Sequence, residues 1–120
     1  MDGITEKIIG AAIEVHRVPG PGLLKSVYEE ALCRELELRA IPFKRQVVVD
    51  IDYKGKLISG QRIDLIVDDC VVIELKLSRN LPEVASAQTR SYLRATGLTR
   101  ALLINFGNTR LIDGIKRFSL

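Results

Sequence analysis

Apolar residues fall at helical spacing over the first third of the chain and at strand spacing after it. Ile4, Ile8, Ala11, Ala12 and Val15 predict a helix from Ile4 to Arg17, with Asp2 as its N-cap. Pro19-Gly20-Pro21-Gly22 stops it. Leu24, Val27, Tyr28, Ala31, Leu32 and Leu36 form a second stripe, a helix from about Leu23 to Arg39 that ends at Ile41-Pro42. Phe43 to Tyr53 then reads as extended, with a turn at Lys54-Gly55. A strand from Lys56 passes Gly60, where a bulge or bend is expected, into the segment that holds Asp64. Next come the strand of Glu74, a helix from Pro82 to near Gly97, an apolar strand from Arg100 to Phe106, and a short edge element. The order α-α-β-β-β-α-β predicts one α/β domain, a mixed sheet flanked by helices.

The stretch from Arg62 to Lys76 carries the candidate chemistry. Two apolar strands meet at an acidic turn, and centring that turn on Asp69 sets Val67 opposite Val71 and Asp64 opposite Glu74. Side chains alternate along a strand, so Asp64, Glu74 and Lys76 share one face, and Ile63, Leu65, Ile73, Leu75 and Leu77 make the other face apolar. Opposed carboxylates repel, and a cation between them removes that cost. Mg²⁺ is commonly held by one or two carboxylates with water and a substrate phosphate. A nearby Lys can orient the attacking water or offset developing charge. The pattern suits a divalent-metal phosphodiesterase, although Glu-x-Lys also occurs on solvated strands.

Composition narrows the class. The 120 residues, 47% hydrophobic and 28% charged, suit one soluble globular domain. Charged residues interrupt the N-terminal apolar run, and no apolar stretch is long enough for a membrane span, which predicts a cytoplasmic protein. Cys33 and Cys70 are too few and too far apart for a disulfide framework or a metal cluster and read as free thiols. The net charge is only +3. From Val84 to Leu120, however, Arg90, Arg94, Arg100, Arg110, Lys116 and Arg117 face Asp113 as the only acid, so this third suits a polyanion such as DNA or RNA. Arg90 and Arg94, on one helix, are candidate substrate contacts. Oligomeric state is open, a homodimer included.

Asp64 with Glu74-x-Lys76 resembles the core of the PD-(D/E)xK, or restriction-endonuclease-like, nuclease superfamily. Gln88-x-x-x-Tyr92 resembles the extra motif of its recombination-exonuclease branch. The chain is similar over nearly its whole length to the small GxxExxY family. That likeness runs through the His16-Arg17 helix end, Gly20-Pro21-Gly22-Leu23, Val27-Tyr28-Glu29, Glu35-Leu36, Arg62-x-Asp64-Leu65 and Glu74-Leu75-Lys76. It continues through Gln88, Tyr92-Leu93, Gly97 and Asn105-Phe106-Gly107. The resemblance implies a metal-dependent nuclease using Mg²⁺ or Mn²⁺. It would hold the metal with Asp64, Glu74 and the backbone carbonyl of Leu75, and catalyse with Asp64, Glu74, Lys76 and Gln88. Tyr92 would flank the substrate. Arg62 is either a phosphate contact or a salt-bridge partner of the acids.

One position departs from the family. Gly-x-x-Glu-x-x-Tyr reads here Gly22-Leu23-Leu24-Lys25-Ser26-Val27-Tyr28. The acid that commonly completes the metal site from this helix is Lys25, at the edge of the apolar stripe and able to reach a cleft. Glu29, one turn on, is either a substitute acid or, more simply, a solvated charge. His16 is expected to close its helix, stabilised by the helix dipole or a hydrogen bond near the Pro-Gly loop. The rivals to an active nuclease are a non-catalytic nucleic-acid-binding module, with Lys25 in the place of the metal, and a protein-interaction domain of the same fold.

Overall fold

The computed structural model describes residues 3–120, so the N-cap expected at Asp2 lies outside the described residues. Helices α1 (Gly3–Arg17) and α2 (Lys25–Leu38) precede the long ribbon of β1 (Phe43–Tyr53) and β2 (Lys56–Val67). Strand β3 (Val71–Lys76), helix α3 (Glu83–Thr96) and β4 (Arg100–Asn105) follow. A short 3-10 turn (Leu111–Gly114) and β5 (Ile115–Ser119) close the chain. The sheet runs β1-β2-β3-β4-β5. Only β3 and β4 pair in parallel, and α3 makes the crossover between them.

The alternation of apolar side chains explains the layers. Leu65, Val67, Ile73 and Leu75 join the core under α1 and α2. Ile66, Val72 and Ala101 join a second core with Tyr92 and Leu93 of α3. A sheet apolar on both faces needs helices on both, and it has them. Ile63 departs from the expected parity and packs on the α3 side. That change of side coincides with Gln46, a strand residue with a φ of 53°. Leu77 lies beyond the end of β3, is half-exposed and joins neither core.

The turns follow their residues. Asp68 and Asp69 both adopt positive φ, which Asp tolerates better than branched residues, and Cys70 N–H closes the turn on Val67 O at 3.0 Å. The register is therefore the one expected, with Val67 against Val71 and Ile66 against Val72. Gly60 has a φ of 127°, and between Val49–Gln61 and Ile51–Ile58 strand β2 carries one extra residue, the bulge that glycine permits.

Helix α2 is turned relative to expectation. Leu24 and Val27 are exposed, and the buried face is Tyr28, Glu29, Leu32, Cys33 and Leu36. Lys25 heads that face, one turn before Glu29.

Candidate functional site

The β2–β3 ladder ends at Leu65–Ile73, one step before Asp64. The Asp64 side chain bridges the gap instead, its Oδ2 accepting the Leu75 N–H at 2.7 Å. Asp64 and Glu74 are 5% and 3% exposed, and their carboxyl groups lie close enough to act on each other. Two buried carboxyls in contact cannot both ionise cheaply. Burial, then the hydrogen bond and charge of Asp64, push the Glu74 carboxyl up to about 8, while Lys76 and Lys25 pull it down. Glu74 Oε1 is buried with no hydrogen-bond partner.

Cations and amides surround this pair. Lys76 Nζ lies 3.6 Å from Glu74 Oε2 and donates to Gln88 Oε1 at 3.2 Å. Gln88 Nε2 donates to the Tyr92 hydroxyl at 3.0 Å, the two residues being one turn apart on α3. Burial, then the charge of Glu74, raises the Tyr92 phenol above its ordinary range, so it stays neutral. On the other side Lys25 Nζ stands 3.3 Å from both Asp64 oxygens.

A third buried acid lies behind them. Glu29 is 4% exposed and accepts from Arg45 Nε at 2.6 Å. Gln46 Nε2 donates to both Glu29 oxygens, at 3.1 and 3.0 Å, and reaches Asp64 Oδ1 at 3.4 Å. Gln46 stands where the unbroken β1–β2 register puts it opposite Asp64, and its left-handed backbone is a strained conformation of the kind that clusters at functional sites. Asp64, Glu74 and Glu29 are thus matched by Lys25, Lys76 and Arg45, each touching one of them.

The site residues expected from sequence divide in two. Asp64, Glu74, Leu75, Lys76, Gln88 and Tyr92 come together. Arg62 is exposed on β2 opposite Val48, and among the described residues no ion pair joins it to either acid. Arg90 and Arg94 are exposed on α3, away from the Gln88–Tyr92 side of the helix, and the Arg90 guanidinium lies 5.1 Å over the Phe118 ring. Glu29 is not a solvated charge: its burial and its bonds to Arg45 and Gln46 overturn that expectation. His16 lies tilted against Phe106 at 6.2 Å, with Nε2 buried and unpartnered rather than hydrogen-bonded near the Pro-Gly loop.

The donor set can be tested against a divalent cation. Among the described residues no three His, Cys, Asp or Glu side chains gather closely enough to enclose one. Asp64 and Glu74 offer hard oxygens, one of them unpartnered. Two carboxylates with open positions fit an ion such as Mg²⁺ that keeps several waters, and not one needing a full protein cage.

A family model for the PD-(D/E)XK nuclease superfamily matches residues 2–118. The chain belongs to this superfamily. The crystal structure of SSO0001 is 20% identical, with a TM-score of 0.49, over 98% of this chain and 78% of that one. No curated protein matches the chain. In this PD-(D/E)XK domain the three helices and mixed five-stranded sheet agree with the superfamily's fold. No helix among the described residues is long and apolar enough to cross a membrane.

Proposed function

We propose that this PD-(D/E)XK domain is a metal-dependent nuclease, hydrolysing phosphodiester bonds of nucleic acid, and that it belongs to the GxxExxY family. The observation that carries the reading is the buried Asp64–Glu74 pair with an unpartnered Glu74 oxygen and Lys76 beside it. Asp64, Glu74 and the Leu75 carbonyl would hold Mg²⁺ or Mn²⁺. Bound there, the metal would polarise the phosphoryl group and lower the pKa of a water. Lys76 supplies a positive charge against the Glu74 side of the pair, where it can orient the attacking water. Gln88, held by Tyr92, fixes the Lys76 head group through its amide oxygen. Arg62, Arg90 and Arg94 would contact substrate only outside this cluster, as electrostatic attraction for phosphates.

Lys25 favours a second reading. Its ammonium already stands on both Asp64 oxygens, so the site is charge-matched by side chains alone. A domain left in that state binds nucleic acid without cutting it. The two readings separate when wild-type protein is incubated with single- and double-stranded DNA and RNA in Mg²⁺, Mn²⁺ or EDTA. Metal-dependent cleavage, lost in Asp64→Asn, Glu74→Gln and Lys76→Ala, supports the nuclease. Retention of nucleic acid without cleavage in either metal supports the binding module.

A further inference from the structure

Two stretches of the family resemblance are left idle by the acid site, Gly20-Pro21-Gly22-Leu23 and Asn105-Phe106-Gly107. Pro21, Gly22 and Leu23 of the first and Phe106 and Gly107 of the second line one groove of about 560 Å³, together with Leu77, Ser78 and Arg79. The groove lies at the carboxyl ends of the parallel strands β3 and β4, the place where open α/β sheets take ligands.

Its walls are fixed before any ligand arrives. The Tyr28 hydroxyl donates to Gly20 O at 2.8 Å and accepts from Leu23 N–H at 3.4 Å. The Tyr28 ring stacks on Phe106 at 4.6 Å and 8°. Asn105 is 2% exposed, and its Oδ1 accepts from Ser78 N–H at 3.0 Å and Gly107 N–H at 2.9 Å. Its Nδ2 donates to Ser78 O at 2.9 Å. A Cβ on Gly107 would collide with the Ser78 backbone, so only glycine lets these loops touch. The lips, by contrast, are open and apolar: Leu24 is 72% and Leu77 40% exposed.

We propose that this groove seats an unpaired nucleotide of a single strand whose neighbouring phosphate lies at the Asp64–Glu74 pair. The proposal rests on the nuclease-superfamily reading above and deepens it by naming the form of the substrate. Leu24 directly precedes Lys25 and Leu77 directly follows Lys76, so the chain leads from the groove straight to both cations of the acid site. Arg79 lies on its lining and no acid does, which suits a phosphate chain. Apolar lips accept the face of any base, and a base presents that face to a concave site only once it has left the stack.

The test is fluorescence anisotropy of the full chain in EDTA at low salt. The probes are a labelled oligothymidylate, the same strand with abasic residues, and a duplex. Leu24→Ser and Leu77→Ser together remove the lips without changing charge, and Ser is a favoured residue at the α2 N-cap that Leu24 occupies. Circular dichroism confirms that the variant folds. The wild type is expected to bind the intact strand about tenfold more tightly than the abasic one. The double variant should bind both equally, at the abasic level. Equal binding of both strands by the wild type, or a tenfold preference surviving in the variant, overturns the groove and leaves the acid-site reading standing. Binding confined to duplex here, or cleavage confined to duplex in the Mg²⁺ and Mn²⁺ incubations above, overturns it likewise. No binding and no cleavage of any nucleic acid overturns both.

Discussion

Replacing Lys25 by glutamate changes the charge beside Asp64 by two units and makes opposite predictions with and without metal. Lys25 Nζ stands 3.3 Å from both Asp64 oxygens, while its side chain is 42% exposed and that of Asp64 8%. At about 4 Å and an effective dielectric of about 20, one charge contributes on the order of 4 kcal/mol. Fully exposed pairs are worth roughly 0–1 kcal/mol, so about 1–2 kcal/mol per charge is a reasonable discount for this half-wet lysine. Lys25→Met should then tighten Mg²⁺ binding roughly 5- to 30-fold, and Lys25→Glu roughly 30- to several-hundred-fold. In EDTA the sign reverses for stability. The new carboxylate faces a buried acid pair with its counter-ion gone, and Lys25→Glu should melt several degrees below the wild type. Millimolar Mg²⁺ should restore most of that loss and should shift the wild type little. Isothermal titration calorimetry and thermal melts in EDTA and Mg²⁺ measure both halves. Equal metal affinity for the wild type and Lys25→Glu, with equal melting in EDTA, would falsify the assignment of Lys25 to the cation position.

Three further outcomes are expected. Glu74 is pushed up to about 8 against an ordinary 4.5, so the folded state binds the extra proton between those values; the Glu74 contribution to metal-free stability is full below pH 4.5 and is lost as pH rises toward 8, and Glu74→Gln should flatten that slope in urea titrations at pH 5, 7 and 8.5. Gln46→Ala removes the amide shared by Glu29 and Asp64 and keeps a side chain at φ 53°, so it should cost about 1–3 kcal/mol. Gln46→Gly should cost less than Gln46→Ala, and the reverse order in chemical denaturation would show that backbone strain has no part at this residue. Cys33 is buried and its thiol is pushed up to about 11, mainly by that burial, so an aromatic disulfide reagent should modify half-buried Cys70 first and Cys33 only on unfolding.

The sequence made the hairpin legible because an acidic turn and two short apolar runs leave little freedom of register. A slip of one residue would bury Asp68 and expose Val67. Parity alone sets Asp64, Glu74 and Lys76 on one face, whereas the spacing of Gln88 and Tyr92 shows only that they share a helix face, and their place at the site came from the resemblance. The face of α2 was harder to read. Leu24 and Val27 are apolar but lie outside the sheet's reach, whereas Glu29 is charged and buried because Arg45 and Gln46 come from β1 to meet it. A pattern of apolar positions carries no information about such a partner. Gln46 left no local trace either: its role depends on a left-handed residue inside a strand and on cross-strand register, both tertiary outcomes.

Asp64 occupies the gap where β2 and β3 part, and its carboxylate supplies the acceptor that the sheet lacks for Leu75 N–H. Selection on folding alone would therefore hold an acceptor here after any catalytic use had lapsed. Among relatives of this chain, a retained aspartate at this place is poor testimony for a working enzyme. The helix position opposite it satisfies no backbone group and only balances charge, so whether it holds an acid or a lysine is the better diagnostic of metal binding.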